Sequence, residues 1–425
     1  MTRDDVLGLD AADPLAVLRE QFVIPPGLIY LDGNSLGVLP RTTAARVQQV
    51  VQEEWGVGLI RSWNSAGWID LPQRLGDKIA QLVGVGPGEL VVADSTSVNV
   101  FKVLSAALAM VRANAVGGAP QRSVILSERS NFPTDLYIAQ AVAQQQGFEL
   151  VLAEADDIPS LLNDRTAVLM LTHVNYRTGR MFDMAALSQA AHAAGVLTIW
   201  DLAHSAGAVP VALTADGADF AVGCGYKYLN GGPGAPAFVW AHPQHAERFW
   251  QPLAGWMGHA APFEFTPDYR PAAGIARYLC GTPPVLSMAA LDCGLDTVLA
   301  AGPLGGMPAL RAKSLALSRL FAKQVMVTCP GLRLVSPMDD ALRGSQVCFS
   351  HPSNGYALMQ ALIARGVIGD FRAPDILRFG FTPLYVRFVD AWDAAQHLAQ
   401  VISSGEWQRP EFNQRQAVTS TGCAP

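Results

Sequence analysis

Residues 199–230 read IWDLAHSAGAVPVALTADGADFAVGCGYKYLN. An apolar run closes on Asp201, and a second one, Phe220–Gly223, ends shortly before Lys227 and the glycine-rich Gly231–Gly234. An apolar strand ending in a carboxylate delivers that group to the C-terminal edge of a sheet, where open α/β sheets bind ligands. Singly, each residue has an ordinary reading: Asp201 as a helix N-cap, Lys227 as a surface lysine. Together they predict a carboxylate and an amine at one sheet edge.

The same texture extends outward. Short apolar, β-branched runs recur at Leu90–Ala93, Ser123–Leu126, Glu149–Leu152, Ala167–Leu171, Val196–Trp200, Phe220–Gly223 and Ala237–Trp240. Ala/Gln-rich stretches with helical character lie between many of them, at Val98–Ala113, Thr134–Gln146 and Met184–Ala194. Fully apolar strands alternating with helices predict an α/β fold with a mostly parallel sheet of about seven strands, covered on both faces. Upstream, Thr42–Trp55 and Pro72–Val83 are expected helices, and residues 1–40 are Pro/Gly-punctuated and expected to be irregular. From Pro303 the pattern changes. Ala309–Val325 and Tyr356–Arg365 read as helices, Leu332–Ser336 and Gln346–Ser350 as strands, and Arg378–Phe379 and Phe388 as short strand or loop pieces. The expected division is an N-terminal segment 1–40, a large α/β domain 41–302, a smaller α+β domain 303–410 and a flexible tail 411–425.

Composition narrows the function classes. The chain has 425 residues, half of them hydrophobic and 16% charged, which supports a large buried core and argues against disorder. A net charge of −6 with no Lys/Arg run gives no footprint for nucleic acid. The opening MTRDDVLGLDAADP is acidic and lacks an apolar core, so no signal peptide is expected. The longest apolar stretch, Val103–Val111, falls short of a membrane span. Six scattered cysteines form no CxxC pair and read as reduced thiols of a cytoplasmic protein. The histidines have no metal-ligand spacing, the glycines after Lys227 do not form a dinucleotide motif, and no GxSxG elbow occurs.

A pyridoxal 5'-phosphate (PLP) enzyme needs both groups of the opening stretch: a lysine to carry the cofactor and a carboxylate to keep its pyridine nitrogen protonated. The segment DLAHxxG followed by GYKYLNGGPG at 225–234 resembles the PLP site of kynureninases, within the class V aminotransferase superfamily of fold-type I enzymes. Further matching motifs are YLDGNSLGVLP at 30–40, SNFPTD at 130–135, NYRTG at 175–179, GWMGH at 255–259, GTPP at 281–284 and RFGFTPLY at 378–385. They span nearly the whole chain.

The resemblance implies a homodimeric hydrolase that cleaves L-kynurenine to anthranilate and L-alanine in tryptophan catabolism, with 3-hydroxykynurenine a poorer substrate. Lys227 would carry the cofactor and Asp201 would face its pyridine nitrogen. Thr96 and Ser97, at the start of a helix, would form the phosphate cup together with free amide groups. Phe132 would stack on the ring, Asp135 would sit near the ring or its phenolate side, and Thr172 would bond the cofactor. His204 is implied as a phosphate-side contact, and Tyr226 as a phosphate ligand or proton donor. Trp256 and Thr282 would reach the neighbouring subunit's cofactor. Arg378 would clamp the substrate α-carboxylate, with Asn34, Ser35 and Trp68 lining the substrate side. Taken alone, several of these residues are equally read as caps or packing. Two alternatives within the superfamily are a cysteine desulfurase, which would need a mobile nucleophilic cysteine, and an aminotransferase. An alternative of another class is a non-catalytic PLP-binding protein.

Overall fold

A computed structural model describes residues 2–114, 122–248 and 251–415. Seven strands form the main sheet: β2 (Leu90–Val92), β3 (Val124–Glu128), β4 (Glu149–Ala153), β5 (Thr166–Thr172), β6 (Leu197–Asp201), β7 (Phe220–Gly223) and β8 (Phe238–Ala241). Their order is β2-β8-β7-β6-β5-β3-β4. From β4 to β7 every pairing is parallel; β8 alone runs against its neighbours β7 and β2. The apolar runs of the sequence are these strands, and most are buried at every position because helices cover both faces.

On one face lies the helix Thr96–Asn114 with Pro133–Gln146, packed over Val168, Ile199, Phe220 and Val239. On the other face Leu71–Val83, Met184–Ala193 and Val285–Leu299 join a second core. Two helical stretches, Thr96–Asn114 and Val285–Leu304, do reach the length and hydropathy of a membrane span, which corrects the shorter apolar run read from the sequence. Half or more of each lies inside the fold, as core helices do.

A four-stranded antiparallel sheet, ordered β12-β13-β10-β9, comprises β9 (Arg333–Leu334), β10 (Gln346–Ser350), β12 (Asp370–Arg372) and β13 (Ile376–Gly380). β1 (Ile29–Tyr30) pairs in parallel with β11 (Val367–Ile368). One apolar cluster runs under both larger sheets, so no break in the core marks residue 303.

Several local expectations need correction. Residues Arg3–Ala11 are helical, capped by Thr2 accepting from the Asp5 amide. The helix expected over Thr42–Trp55 is an α-helix at Thr43–Gln49 that widens into a π-helix at Val50–Gly58. Phe388 opens a long helix, Phe388–Ser404. Its first amides are held by Asp10, which accepts from Phe388 and Val389 at 2.6 and 2.9 Å, a cap supplied from the far end of the chain. Pro410–Asn413 forms a helical turn within the expected tail; residues 416–425 lie outside the described residues.

Candidate active site

The C-terminal edge of the main sheet carries a cavity of about 130 Å³. Five strand ends supply its wall. After β2 come Ser95, Thr96 and Ser97; after β3, Phe132 and Asp135; at the end of β5, Thr172; at the end of β6, Asp201 and His204; after β7, Cys224, Tyr226 and Lys227. Parallel strands deliver their ends to the same edge, so residues far apart in sequence converge.

Lys227 is the only lysine or arginine lining the cavity among the described residues, and it is half-buried there. Burial lowers its pKa, and no carboxylate among the described residues lies within ion-pair distance of it. Its Nζ instead stands 2.9 Å from His204 Nε2. The protonation of that histidine follows from its neighbours. Gln346 Nε2 donates to the carbonyls of Asn175 and Tyr176, both at 3.0 Å, so its Oε1 must face His204. Nδ1 of His204 therefore donates to Gln346 Oε1 at 3.0 Å. Burial, then the Lys227 charge, depresses the histidine pKa strongly and leaves the ring neutral, with its Nε2 lone pair accepting from Lys227.

Opposite stands a carboxyl pair. Asp201 Oδ1 accepts from the Ala203 amide at 2.7 Å. Asp135 lines the same wall and interacts electrostatically with Asp201, with Thr172 beside the two carboxyls. Burial raises both carboxyls; the neighbouring Asp201 charge raises Asp135 further. Two carboxyls buried side by side resist ionising together, and the proton favours Asp135, the more strongly raised of the two. Asp201 is left as a buried anion with no cationic partner within 4 Å among the described residues.

Phe132 is 38% exposed and Ser95 is exposed as well, while the other wall residues are buried or half-buried. Asn131 fixes its backbone: Oδ1 accepts from the Phe132 amide at 2.6 Å and contacts the Thr172 hydroxyl, while Nδ2 donates to Ser127 at 3.1 Å. Tyr176 packs edge-on against the Phe132 ring at 5.3 Å. Thr96 and Ser97 open a helix of 19 residues, and Ser95 Oγ accepts from the Val98 amide.

Arg378 lies beside this cavity on β13. It donates from Nη1 to the Tyr176 carbonyl at 2.7 Å and from Nη2 to Ser35 Oγ at 2.8 Å. Asn34 is wholly buried, with its Cβ and Oδ1 pressed against Gly380 where no side chain would fit, and it does not line the cavity. Trp68, Trp256 and Thr282 are likewise absent from the wall. Trp63 links the two tryptophans, at 6.5 Å from Trp68 and 5.9 Å from Trp256. Trp68 and Thr282 flank the Pro283–Pro284 turn in adjacent surface depressions. The Trp68 indole N–H is committed to Glu54 at 2.7 Å.

Sequence reasoning assigned no role to Asn131, Tyr176 or Gln346. The first two fall inside motifs it quoted, so spacing alone could have raised them. Gln346 has no local signal, because its site role comes from β10 meeting His204 across the two sheets.

The donor set fits PLP. An uncompensated amine, an uncompensated carboxylate, a flat aromatic face and a helix N-terminus with hydroxyls match an aldehyde, a pyridinium, a ring face and a phosphate. Cys348, by contrast, is fully buried in β10, and burial pushes its thiol up to about 12, so it offers no desulfurase nucleophile.

Comparison with known proteins agrees. The kynureninase C-terminal domain family matches residues 310–398. Kynureninase of Burkholderia pseudomallei (strain K96243) is 56% identical over 423 residues, covering 98% of this chain and all of the relative. Kynureninase of Pseudomonas fluorescens is 55% identical with the same coverage. Among solved structures, a cysteine desulfurase from Thermococcus onnurineus NA1 superposes with a TM-score of 0.77 at 16% identity, covering 92% of this chain and 98% of its own. The cystine C–S lyase C-DES gives 0.72 at 17%, covering 88% and 98%. Those two likenesses establish the fold alone. Identity above half along the full length goes further: the chain belongs to the kynureninase family.

Proposed function

We propose that the chain is a PLP-dependent hydrolase that cleaves the Cβ–Cγ bond of L-kynurenine with water, giving anthranilate and L-alanine. The observation that carries the reading is the pair Lys227, half-buried, and Asp201, buried, in one cavity with no ion-pair partner for either among the described residues and with Arg378 beside it.

Bound pyridoxal supplies an electron sink for negative charge developing at the substrate Cα and Cβ. The residues do the rest. Lys227 holds the cofactor, and its lowered pKa keeps an amine able to move the Cα proton. Asp201 would keep a proton on the pyridine nitrogen, Phe132 would cover the ring, and Asp135 and Thr172 would support Asp201 from beside it. Thr96, Ser97 and the helix amides would hold the phosphate; His204, its Nδ1–H given to Gln346 and its Nε2 a bare acceptor, has no donor for it and orients the Lys227 amine instead. Burial raises the Tyr226 phenol, so it stays protonated and can donate to Cβ. Arg378, with Ser35, binds the α-carboxylate through its planar fork.

The finer assignments rest on the molecule's outer face. Trp55, Val57, Ile60, Phe263 and Phe265 are exposed apolar residues there, beside Trp68, Trp256 and Thr282. Such a patch supports a homodimer in which Trp256 and Thr282 reach the partner's cofactor. With the Trp68 N–H held by Glu54, Trp68 offers only an apolar face to the substrate ring. An apolar pocket rejects an added hydroxyl weakly, so L-kynurenine is preferred over 3-hydroxy-L-kynurenine by roughly 10²-fold. The test is the kcat/KM ratio for the two on one PLP-loaded preparation, read by the fluorescence of anthranilate from the first and of 3-hydroxyanthranilate from the second. Absence of anthranilate overturns the activity; a ratio at or below one overturns the preference. We place the enzyme in the cytoplasm, in keeping with its reduced thiols.

A further inference from the structure

The guanidinium of Arg378 is already engaged. It is 1% exposed, and its Nε donates to Asp370 Oδ1 at 2.8 Å while Nη2 donates to Asp370 Oδ2. With Nη2 also on Ser35 and Nη1 on the Tyr176 carbonyl, four of the five N–H groups a guanidinium carries are in use. The register of the small sheet causes this: Asp370 on β12 stands directly opposite Arg378 on β13. Asp370 makes the bidentate contact that a substrate carboxylate would make.

Asp370 also has somewhere to go. Its Oδ2 accepts from Arg372 Nη2 at 2.7 Å, and the Arg372 side chain is 36% exposed with a buried Nε that has no partner. β12 is a three-residue strand at the sheet's edge, paired on one side only. The remaining acidic group is Asp32, whose carboxyl is raised to about 7 by burial and then by Asp370. Two guanidiniums therefore face one firm carboxylate and one that is only partly ionised at neutrality. The cluster has positive charge to spare for one more anion.

We propose that Asp370 is a specificity-determining residue that fills the Arg378 fork until the substrate α-carboxylate displaces it onto Arg372. The inference deepens the proposed role of Arg378 and rests on it. A ligand opens the fork only by competing with an internal carboxylate in the same geometry. Carboxylates can do so, whereas neutral amides leave the fork closed. The apparent affinity for substrate is lowered by the fraction of molecules whose fork is filled.

The opposite reading makes Asp370 a fixed buttress that aims Arg378, and the two differ in sign. With PLP-loaded enzyme, Asp370→Asn should lower KM for L-kynurenine and Ki for β-benzoylpropionate by the same factor, about tenfold. That probe keeps the aryl ketone and carboxylate and lacks the amine. Inhibition by its primary amide should not change. Asp370→Glu, which restores the charge, should return both constants toward wild type, and Arg372→Gln, which removes the landing site, should raise them. Higher or unchanged KM and Ki in Asp370→Asn overturn the exchange. Arg378→Ala separates the two claims: if Ki for β-benzoylpropionate stays put, Arg378 is not the carboxylate site at all. Should Asp370→Asn fail to fold, a structure of the wild-type holoenzyme with β-benzoylpropionate decides. Asp370 must then have left Arg378; if it is still bridged to it, the proposal falls.

Discussion

The two halves of the site treat buried charge in opposite ways. At the edge of the main sheet, Lys227 and Asp201 lie in the same cavity with no ion-pair partner for either among the described residues. On the small sheet, Arg378 is wholly buried, and four of its five N–H groups are taken by Asp370, Ser35 and a carbonyl. Buried charges without partners cost free energy, and a fold retains them where a ligand completes them. A resident cofactor suits the first arrangement, because it stays through every turnover. A substrate that arrives and leaves suits the second, because the fork must be satisfied between visits.

The largest test of this contrast is at the unpaired amine. Lys227→Ala should leave the fold intact and reduce turnover by at least about 10⁴-fold, since both cofactor attachment and proton transfer are lost. Borohydride reduction of the native holoenzyme should fix PLP on the peptide containing Lys227. Label on another lysine would break the assignment of the cavity.

Next is the unpaired carboxylate. Asp201→Asn is isosteric, removes the charge and keeps the Ala203 contact within reach. It should cut kcat by about 10²–10⁴-fold. A loss below tenfold would mean that the anion is not needed for the cofactor ring, and the contrast between the two halves would lose one member.

A third test asks whether the cavity is complete within one chain. Lys227→Ala and Trp256→Ala, each inactive or weak alone, should recover up to about a quarter of wild-type activity per subunit when mixed, because some hybrid sites hold both native residues. Full activity in a strictly monomeric preparation would show that Trp256 acts within its own chain.

The smallest effect sharpens the paired half. Asp32 has its pKa raised to about 7, against about 3.9 in an unfolded chain. Between those values the folded chain binds more protons, so this group makes stability fall as pH rises from about 4 to about 7. Asp32→Asn should leave Tm near wild type at about pH 4 and raise it by about 2–4 °C at pH 8. A gain of equal size at both pH values would place the effect outside the titration of Asp32.

Legibility differed between the halves for physical reasons. Asp201, Thr172, Thr96 and Lys227 could be read because each ends or closely follows an apolar run, and parallel strands carry such ends to one edge. The helix Phe388–Ser404 was missed although its buried Val389, Ala394, Leu398 and Val401 keep helical spacing. Its start carries no Ser, Thr, Asp or Asn at the N-cap position, which Arg387 occupies, and the Asp10 cap lies some 380 residues away in sequence. The π-helix at Val50–Gly58 has no signal in a pattern that simply continues helical.

The sequence by itself determined the sheet, the family and the residue types of the cavity, because strand periodicity and ordered motifs are local properties. Tertiary structure alone decided which charges meet. Asp135 meets Asp201 because the helix that follows β3 starts beside the end of β6. His204 is a neutral acceptor because Gln346, from the other sheet, has its amide nitrogen occupied. Asp370 fills the Arg378 fork because two short strands pair in one register, and a slip of one residue would turn that carboxylate to the opposite face.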